Sequence, residues 1–448
     1  MSVVMKFGGT SVADAAFENV ARIVANECDA APIVVVSAMS GVTDSLLAAT
    51  NITSLENVFD RHHAVARELL DPSQAAAFID RLREAAHKID ELLQSRAQKP
   101  AGYKSLQDAI VSFGETLSST LLAAVLNQKG IKARQVDARR CIITDEEYAN
   151  ATPLMAETFA QTQSELIPIL ETSVVPVLGG FIGSTKQGVT TTLGRGGSDY
   201  TAALIGAALG VREIQIWTDV TGVLTADPRV VPEAQTIGRL SYGEAAELAY
   251  FGAKVLHPKT IQPAIENSIP VRICNSRAPH EPGTLVGPET ETSPRTIKAI
   301  AHKTGVTTVQ ISSARMLGAY GFLRALFEVF DRHRTVVDVV TTSEVSVSLS
   351  LDDASALPAI VAELEQLGSV RVEEGRAIIC VVGEGLRGTP GIAARVFSTI
   401  SDINVTLISQ GASSINFTFA IEEERVKEAV TRLHKEFCAT KKVHKTQK

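Results

Sequence analysis

The sequence lacks any pair of cysteines close enough to bind a metal together. Its five cysteines are far apart and form no CxxC motif; they are Cys28, Cys141, Cys274, Cys380 and Cys438. An odd number of widely spaced cysteines predicts reduced thiols in a cytoplasmic protein and not a disulfide framework. The nine histidines show no HExxH spacing, so we expect no metal site built from protein side chains.

An excess of positive charge and a long apolar run are also missing. The formal net charge is −7, which leaves no electrostatic footprint for nucleic acid or for an anionic membrane. The N-terminus MSVVMKFGG has no basic region followed by an apolar stretch, and no apolar run reaches the ~18 residues of a membrane span. We therefore expect a cytoplasmic protein with neither nucleic acid nor membrane as a partner.

Two common nucleotide-binding signatures are absent. The dipeptide Gly-Lys occurs nowhere in the chain, which excludes a Walker A loop. The HRD and DFG motifs of a protein-kinase-like site are missing too. Any site for phosphate must therefore use a different arrangement of residues.

What the sequence does contain is an alternation of short β-branched runs with helical patterns over its first two-thirds. Strands separated by helices predict an α/β fold with a largely parallel sheet sandwiched by helices. A charged stretch at about 54–98 predicts an inserted helical subdomain. The predicted strands are Val3–Met5, Ile33–Ser37, Val174–Leu178, Ile214–Trp217 and Val271–Cys274, and the predicted helices span about 13–28, 106–129, 155–171, 198–209 and 242–251.

The last third of the chain contains an internal repeat. A proline-rich segment at about 279–298 marks a boundary. Beyond it, a shift of 70 residues aligns GFLRALF (321–327) with GIAARVF (391–397), and VVDVVTTSEVSV (336–347) with TLISQGASSINF (406–417). Chance similarity is the alternative, but the register holds without gaps for about 30 residues. We predict a catalytic domain at 1–285 and two βαββα units at 299–372 and 373–448.

Two glycine-rich segments follow predicted strands and begin predicted helices. In Lys6–Ser11 (KFGGTS), backbone N–H groups at a helix N-terminus and a lysine favour a bound anion; a purely structural glycine turn is the alternative. In Thr191–Asp199 (TTLGRGGSD), Arg195 offers a planar fork for a carboxylate or phosphate. Asp199 falls in the first helical turn, where a carboxylate can also act as a simple cap.

Polar residues follow two more predicted strands. Thr218 and Asp219 come directly after one strand, and Ser37, Thr43 and Asp44 follow another. Ligands of open α/β sheets bind at the carboxyl ends of the strands. These residues are therefore candidates for the same site.

Taken together, six segments resemble the aspartokinase family, in family order and over essentially the whole chain. They are KFGGTSV, VVVSAMSGVTDSL, SFGETLSSTLL, GFIGSTKQGVTTTLGRGGSDYTAAL, WTDVTGVLTADPR and FGAKVLHP. The combination of KFGGTS with GRGGSDYTA is specific to aspartokinases within the amino acid kinase superfamily. The repeat resembles the tandem regulatory ACT domains of these enzymes, and VDVVTTSEVSVSLSLD is most similar to the monofunctional, lysine-sensitive branch.

The resemblance implies an amino acid kinase fold that transfers the γ-phosphate of ATP to the β-carboxylate of L-aspartate, the first step of lysine, threonine and methionine biosynthesis. It also implies the site residues. Lys6 and Asp199 are implied as catalytic, with Asp199 orienting Lys6. The aspartate pocket would contain Ser37, Thr43, Glu115, Arg195 and Ser198. The nucleotide site would contain Lys6, Phe7, Gly8, Gly9, Thr218, Asp219, Leu224, Arg229 and Lys254, with leucine at 224 where related enzymes often carry tyrosine.

The implied residues suit the chemistry. The attacking carboxylate is already ionised at pH 7, so no general base is needed. Because an anion must approach a polyanion, catalysis depends on positioning and on neutralising charge. We expect Lys6, Lys254 and Mg²⁺ around the ATP phosphates, Arg195 at the substrate α-carboxylate and Glu115 at its α-ammonium. Another amino acid kinase, such as a glutamate-type enzyme, and a catalytically silent amino-acid sensor are the alternatives.

The first repeat carries an implied lysine-binding set. Its members match positions that line the lysine site of lysine-sensitive relatives; they are Met316, Phe322, Leu323, Val337, Asp338, Thr342, Ser343 and Glu344. Ala319 replaces a serine found in some relatives. The alternative is that Thr342 and Ser343 merely form a turn and Glu344 is a surface charge. The second repeat lacks the acid, so we expect it to form a dimer contact, within a homodimer or a dimer of dimers.

Overall fold

The chain folds into two compact units. A computed structural model describes residues 2–14, 16–98, 103–252, 256, 258–288 and 296–438. The first unit comprises Met1–Val223, Gly238–Tyr242 and Val255–Glu289, and the second comprises Leu224–Ile237, Gly243–Lys254 and Thr290–Lys448.

The first unit is built on an eight-stranded sheet. Its strands, with those of a small second sheet, are β1 Val3–Phe7, β2 Pro32–Val36, β3 Ala133–Val136, β4 Ile143–Thr144, β5 Val175–Gly179, β6 Ile182–Thr185, β7 Thr190–Thr192, β8 Glu213–Thr218, β9 Arg239–Ser241, β10 Val271–Asn275 and β11 Thr284–Gly287. The main sheet has the order β3-β5-β2-β1-β8-β10-β11-β9, and β4-β6-β7 form the small sheet. Within the main sheet only β10 and β11 pair antiparallel.

Helices cover this sheet, as the alternating pattern predicts. Up to residue 266 the helices are α1 Ala16–Asn26, α2 Val42–Ala48, α3 Glu56–Leu69, α4 Pro72–Gln98, α5 Tyr103–Gln128, α6 Met155–Leu170, α7 Gly197–Leu209, α8 Tyr242–Tyr250 and α9 Gln262–Glu266. All of them belong to the first unit except α8, which lies in the second unit from residue 243 onward. Every residue of β1, β2 and β5 is buried, because helices pack on both faces of these central strands. The predicted α/β class is confirmed. Helices α3 and α4 occupy residues 56–98, the stretch for which an inserted helical subdomain is predicted.

Helix α5 is the central helix of the first unit. Its length and apolar composition over Lys104–Gln128 would suffice to cross a membrane, yet 72% of its most apolar window is buried inside the fold. It packs against α4 and runs alongside β5 and β7. The helix therefore owes its hydrophobicity to a position in the protein core, and it carries Asp108 and Glu115 inward.

The second unit contains a six-stranded antiparallel sheet. Its order is β13-β14-β12-β15-β17-β16. The elements after residue 290 are β12 Ala299–Ser312, α10 Phe322–Arg332, β13 Val340–Thr342, β14 Ser346–Leu351, α11 Leu357–Leu364, β15 Ser369–Val382, α12 Ile392–Thr399, β16 Leu407–Gln410, β17 Asn416–Glu422 and α13 Val426–Phe437.

The predicted repeat is present as two βαββα units. Helices α10 and α12 each begin after a glycine with left-handed backbone, Gly321 at φ 82° and Gly391 at φ 77°. Each unit has its own hydrophobic core. The long strands β12 and β15 pair along most of their length. Residues 308–312 of β12 pair with 369–373 of β15 and also with β14, whereas residues 299–303 pair with 378–382 of β15 and not with β14. We propose on this basis that the second ACT-like unit includes the start of β12.

Candidate active site

A cleft of about 640 Å³ opens in the first unit at the carboxyl ends of β1, β2 and β5. It brings together both predicted catalytic residues and all five predicted residues of the aspartate pocket. The lining residues are Lys6, Ser37, Thr43, Asp44, Leu47, Gln107, Asp108, Val111, Glu115, Ala149, Phe181, Thr192, Gly194, Arg195, Gly196, Gly197, Ser198 and Asp199. Lys6 and Asp199, which are 193 positions apart in the sequence, thus line the same cavity.

An ion pair between β1 and α7 forms one wall of the cleft. Lys6 Nζ lies 2.7 Å from Oδ1 of Asp199, and the two side chains are only 11% and 17% exposed. Asp199 is the third residue of α7, where the helix dipole favours a negative charge. The pair therefore holds the Lys6 ammonium group beside the N-terminus of α7, in the lining of the cavity.

Glu115 adds a buried carboxyl group to the lining of the cleft. Its Oε1 accepts a hydrogen bond of 3.2 Å from the backbone N–H of Ala38. Its Oε2 is buried and has no hydrogen-bond partner among the described residues. Burial raises the pKa of Glu115 from its usual 4.5 to about 8. An unsatisfied buried acceptor of this kind suits a cationic ligand group.

Two consecutive glycines let the two walls approach β5. A Cβ atom on Gly179 would lie 2.9 Å from backbone atoms of Glu115, and one on Gly180 would lie 2.7 Å from Cα of Ser198. Any larger residue at either position would push α5 or α7 outward. The Gly-Gly pair therefore sets the width of the cleft between Glu115 and Ser198.

The glycine-rich turn 194–197 brings Arg195 into the lining of the cleft. Gly194 and Gly196 have φ of 72° and 75°, a conformation that side chains with a Cβ disfavour. The turn is closed by the N–H of Gly197, which donates to the carbonyl of Gly194 at 3.0 Å. Arg195 is exposed, and among the described residues no side chain pairs with its guanidinium.

Several lining residues were not assigned a role from the sequence. Asp108 and Val111 precede Glu115 by seven and four residues, and this helical spacing places them on the same face of α5. Phe181 lies in the left-handed region at φ 68° and its N–H donates to Thr201 Oγ1 at 3.0 Å. The spacing was visible in the sequence; the position of Phe181 depends on tertiary contacts and was not.

The predicted phosphate-binding segment lies beside β8. The N–H of Gly8 donates to the carbonyl of Trp217 at 3.1 Å, next to Thr218 and Asp219 at the end of β8. The ring of Phe7 is fully buried and stacks on Trp217 with centroids 5.9 Å apart. Any contact of Phe7 with a nucleotide can therefore involve only its backbone.

Three predicted nucleotide-binding residues are not among those that line the cleft of the first unit. Leu224 and Arg229 belong to the second compact unit. There the guanidinium of Arg229 forms a bidentate pair with Asp227, with the shortest distance 2.6 Å. Lys254 lies outside the described residues.

The predicted regulatory residues cluster in the first repeat of the second unit. Met316, Phe322 and Val337 pack against one hydrophobic core. Thr342 ends β13, and the Ser343 hydroxyl lies 2.7 Å from that of Ser346 across the hairpin turn. A structural role for Ser343 in the turn is thus present, whereas Leu323 and Glu344 are exposed.

Asp338 is already engaged by side chains of the second unit. It accepts a hydrogen bond from the hydroxyl of Tyr250, and its Oδ2 lies 3.9 Å from Nζ of Lys303. Burial, with a hydrogen bond to Asp352, raises its pKa to about 7. A ligand ammonium group would therefore compete with Lys303 and Tyr250 for this carboxyl group.

The described residues offer no ready-made metal cage. No group of three or more His, Cys, Asp or Glu side chains comes together anywhere in the described part of the chain.

Comparison with known families agrees with the geometry of both units. Residues 1–275 match the amino acid kinase family, and residues 379–437 match an ACT domain. The lysine-sensitive aspartokinase 3 of Escherichia coli is 38% identical over 96% of this chain and 98% of its own length. The chloroplastic aspartokinase 1 of Arabidopsis thaliana is 39% identical over 98% of this chain and 80% of its own length.

Solved structures give the same result. Aspartokinase III of E. coli in complex with aspartate and ADP superposes with a TM-score of 0.81 at 37% identity, over 97% of this chain and 99% of that one. Its complex with lysine and aspartate gives a TM-score of 0.83, also at 37% identity, over 98% and 100%. The chain therefore belongs to the amino acid kinase family and, within it, to the aspartokinases.

Proposed function

We propose that the protein transfers the γ-phosphate of ATP to the β-carboxylate of L-aspartate, giving 4-phospho-L-aspartate. The observation that carries the proposal is the cleft itself. It is lined by the Lys6–Asp199 pair, by Arg195, and by Glu115 with a carboxyl oxygen that has no partner among the described residues. A small amino acid with two carboxylates complements this set of charges.

Each charged group of aspartate has a counterpart in the cleft. Glu115 can take the α-ammonium, which would satisfy its buried oxygen. Arg195 can hold the α-carboxylate through two parallel hydrogen bonds. Ser37, Thr43 and Ser198 line the same cavity and can orient the substrate by hydroxyl contacts. The β-carboxylate is then left to face Lys6.

Lys6 supplies positive charge where the phosphoryl group passes between two anions. Asp199 fixes the direction of its Nζ, and the N-terminus of α7 adds a partial positive charge at the same place. Mg²⁺ bound to ATP would neutralise further phosphate charge. No residue has to remove a proton, because the attacking carboxylate is ionised at neutral pH. Positioning and electrostatics then account for catalysis.

The nucleotide phosphates are proposed to lie over Gly8 and Gly9, with Thr218 and Asp219 beside them. The pairing of Gly8 with Trp217 at the ends of β1 and β8 supports this location, since ligands of open α/β sheets bind at such strand ends. E. coli aspartokinase III binds ADP, which supports ATP as the phosphate donor. Leu224, Arg229 and Lys254 remain proposed members of the nucleotide site.

An assay of ADP release with three acceptor conditions tests the proposal. Purified protein with Mg²⁺–ATP should release ADP rapidly with L-aspartate, and at less than about 1% of that rate with L-glutamate or with no acceptor. Faster release with glutamate would identify a different amino acid kinase. ADP release below detection in all three, with aspartate binding retained, would indicate a catalytically silent sensor.

We further propose feedback inhibition by lysine at the first repeat. The E. coli relative is named lysine-sensitive and has been solved with lysine bound. Two carboxyl groups, Asp338 and Glu344, could meet the two ammonium groups of lysine, while Met316 and Phe322 could cover its methylene chain. Inhibition requires that lysine bind an inactive arrangement more tightly than the active one.

The proposed assembly is a homodimer or a dimer of dimers in the cytoplasm. Leu317, Tyr320, Leu323 and Phe327, in and just before α10, expose large apolar surfaces, as residues of a subunit contact would. Ile408 of β16 adds an exposed apolar residue in the second repeat. Light scattering coupled to gel filtration should give at least twice the mass of one chain; a monomer at micromolar concentration would contradict this assembly.

A further inference from the structure

Asp108 is a second buried carboxyl group in the cleft, and the proposed reaction assigns it no role. It is 2% exposed. Its Oδ2 accepts hydrogen bonds of 2.9 Å from the N–H groups of Ala149 and Thr192, and its Oδ1 accepts one of 2.9 Å from the Thr192 hydroxyl. Burial raises the pKa of Asp108, and these three hydrogen bonds oppose that rise.

The two carboxyl groups of α5 differ in what they bind. Glu115 keeps one oxygen without a partner among the described residues, whereas both oxygens of Asp108 are bonded within the protein. They lie seven residues apart, about two helical turns, on one face of the helix. Glu115 is therefore available to a ligand, and Asp108 acts as an internal anchor.

The segments held by Asp108 converge on the turn that carries Arg195. Thr192 precedes Arg195 by three residues, and its carbonyl accepts a hydrogen bond of 2.8 Å from Ala151. Ala149 has a left-handed backbone at φ 72°, which is strained for a residue with a Cβ and is fixed here by its bond to Asp108. Asn150 packs directly over Gly194.

The position of Arg195 depends on these backbone contacts because its own side chain makes few contacts. It is exposed, and no side chain among the described residues pairs with it. Its location is therefore set by the backbone on either side. Asp108 bonds that backbone to α5, the helix that carries Glu115. The positions of Arg195 and Glu115 are therefore both fixed relative to α5.

We propose that Asp108 is a positioning residue for the acceptor amino acid: it fixes Arg195 relative to Glu115 so that both can bind one substrate molecule. The inference rests on the proposed function, since it assumes that Arg195 and Glu115 bind aspartate. It predicts an effect on aspartate and not on ATP.

Two substitutions at Asp108 separate hydrogen bonding from charge. In Asp108→Asn the amide oxygen can accept both N–H groups, and the amide nitrogen can donate to the Thr192 hydroxyl, so all three bonds can persist. This variant should keep the aspartate KM within about threefold of wild type. Asp108→Ala loses all three, and its aspartate KM should rise roughly 10–100-fold, with the ATP KM changed less than about threefold.

Arg195→Ala provides the background that distinguishes positioning from general destabilisation. If Asp108 acts through Arg195, adding Asp108→Ala to Arg195→Ala should raise the aspartate KM by less than about threefold more. Asp71→Ala is the matched control, because Asp71 bonds the N–H groups of Ser73 and Gln74 at the start of α4. It should lower the melting temperature without changing either KM.

Thr192→Val provides a second test that can be used if Asp108→Ala does not fold. It removes only the hydroxyl bond to Oδ1 and should raise the aspartate KM about three- to tenfold. The inference would be overturned if Asp108→Ala raised the aspartate KM by the same factor in the wild-type and Arg195→Ala backgrounds. It would also be overturned if Asp108→Ala changed the aspartate KM and the ATP KM equally, or if it lowered the melting temperature and left the aspartate KM unchanged. A folded wild type inactive on aspartate would instead contradict the proposed function, and this inference with it.

Discussion

Lys6 Nζ lies 2.7 Å from Oδ1 of Asp199, and this contact joins the end of the central strand β1 to the first turn of α7. Lys6 is one of few buried charged residues of the first unit, and a buried charge is stable only when it is paired. The pair therefore holds the Lys6 side chain in a fixed position inside the cleft, where a phosphate can reach it.

Replacing Lys6 with alanine should lower kcat roughly 10²–10³-fold, the usual cost of losing one preorganised electrostatic group. The aspartate KM should change far less, because the lysine charge matters most while the phosphoryl group transfers. Steady-state kinetics of Lys6→Ala measures both constants. Lys129→Ala, which removes an exposed pair with Glu18, is the control. More than about half of the wild-type kcat in Lys6→Ala would remove Lys6 from the catalytic assignment.

Arg195→Lys should weaken aspartate binding selectively. A lysine keeps the charge but cannot form two parallel hydrogen bonds to a carboxylate. We expect the aspartate KM to rise about tenfold or more while the ATP KM stays within about threefold. Varying each substrate at saturating levels of the other gives both values. A rise confined to the ATP KM would assign Arg195 to the nucleotide instead.

Glu115 should make aspartate binding depend on pH. Its pKa near 8 means that it is mostly protonated at pH 7 in the free enzyme. An α-ammonium group binds the ionised form better, so kcat/KM for aspartate should rise from pH 6 to about pH 8 and then level off. Glu115→Gln should flatten this rise and increase the aspartate KM at pH 8. Parallel profiles for the two proteins would contradict the assignment.

Glu115 should also make the free energy of unfolding depend on pH, with stability falling as kcat/KM for aspartate rises. Between pH 4.5 and 8 the folded protein retains a proton on Glu115 that the unfolded chain has lost, so this group lowers stability as pH rises through that window. One pKa unit corresponds to about 1.4 kcal/mol, which makes the total effect a few kcal/mol. Urea unfolding at pH 5 and pH 8 should therefore show a smaller loss for Glu115→Gln than for wild type.

Most of the site was predictable because its residues stand in contiguous motifs at strand ends. Lys6, Arg195, Ser198 and Asp199 occur in two glycine-rich segments, and the buried strands around them follow from β-branched runs. The contacts of Asp108 were not predictable, because its partners Ala149 and Thr192 are 41 and 84 residues away. Nothing local in the sequence indicates such a pairing.

Burial was the other property that motifs did not reveal. The family resemblance implies Phe7 as a nucleotide-binding residue; its ring stacks on Trp217 inside the core, so only its backbone is left for such a contact. A strand residue and its neighbour point to opposite faces, so Lys6 reaches the cleft while Phe7 points away from it. The sequence does not indicate which face of β1 lines the cleft. The structure shows it through the packing of α7, whose Asp199 pairs with Lys6.

Glu344→Lys should abolish inhibition by lysine and leave the uninhibited kcat within about twofold. The substitution puts a cation where a ligand ammonium is proposed to bind, on an exposed turn of the second unit. In the wild type, a coupling free energy of roughly 1–3 kcal/mol between lysine binding and the active arrangement would change the apparent activity about 5–150-fold. Dose–response curves with lysine and with threonine measure it. An unchanged lysine curve, or a wild type inhibited only by threonine, would contradict the proposed regulatory site.

The most direct test of the central claim is to trap the reaction product. The enzyme is incubated with Mg²⁺–ATP, L-aspartate and hydroxylamine, which converts an acyl phosphate into a hydroxamate, and the products are identified by mass spectrometry and chromatography against α- and β-hydroxamate standards. We predict aspartate β-hydroxamate in a one-to-one ratio with ADP, and its loss in Lys6→Ala. ADP formed without hydroxamate, or the α-hydroxamate as the product, would contradict transfer to the β-carboxylate.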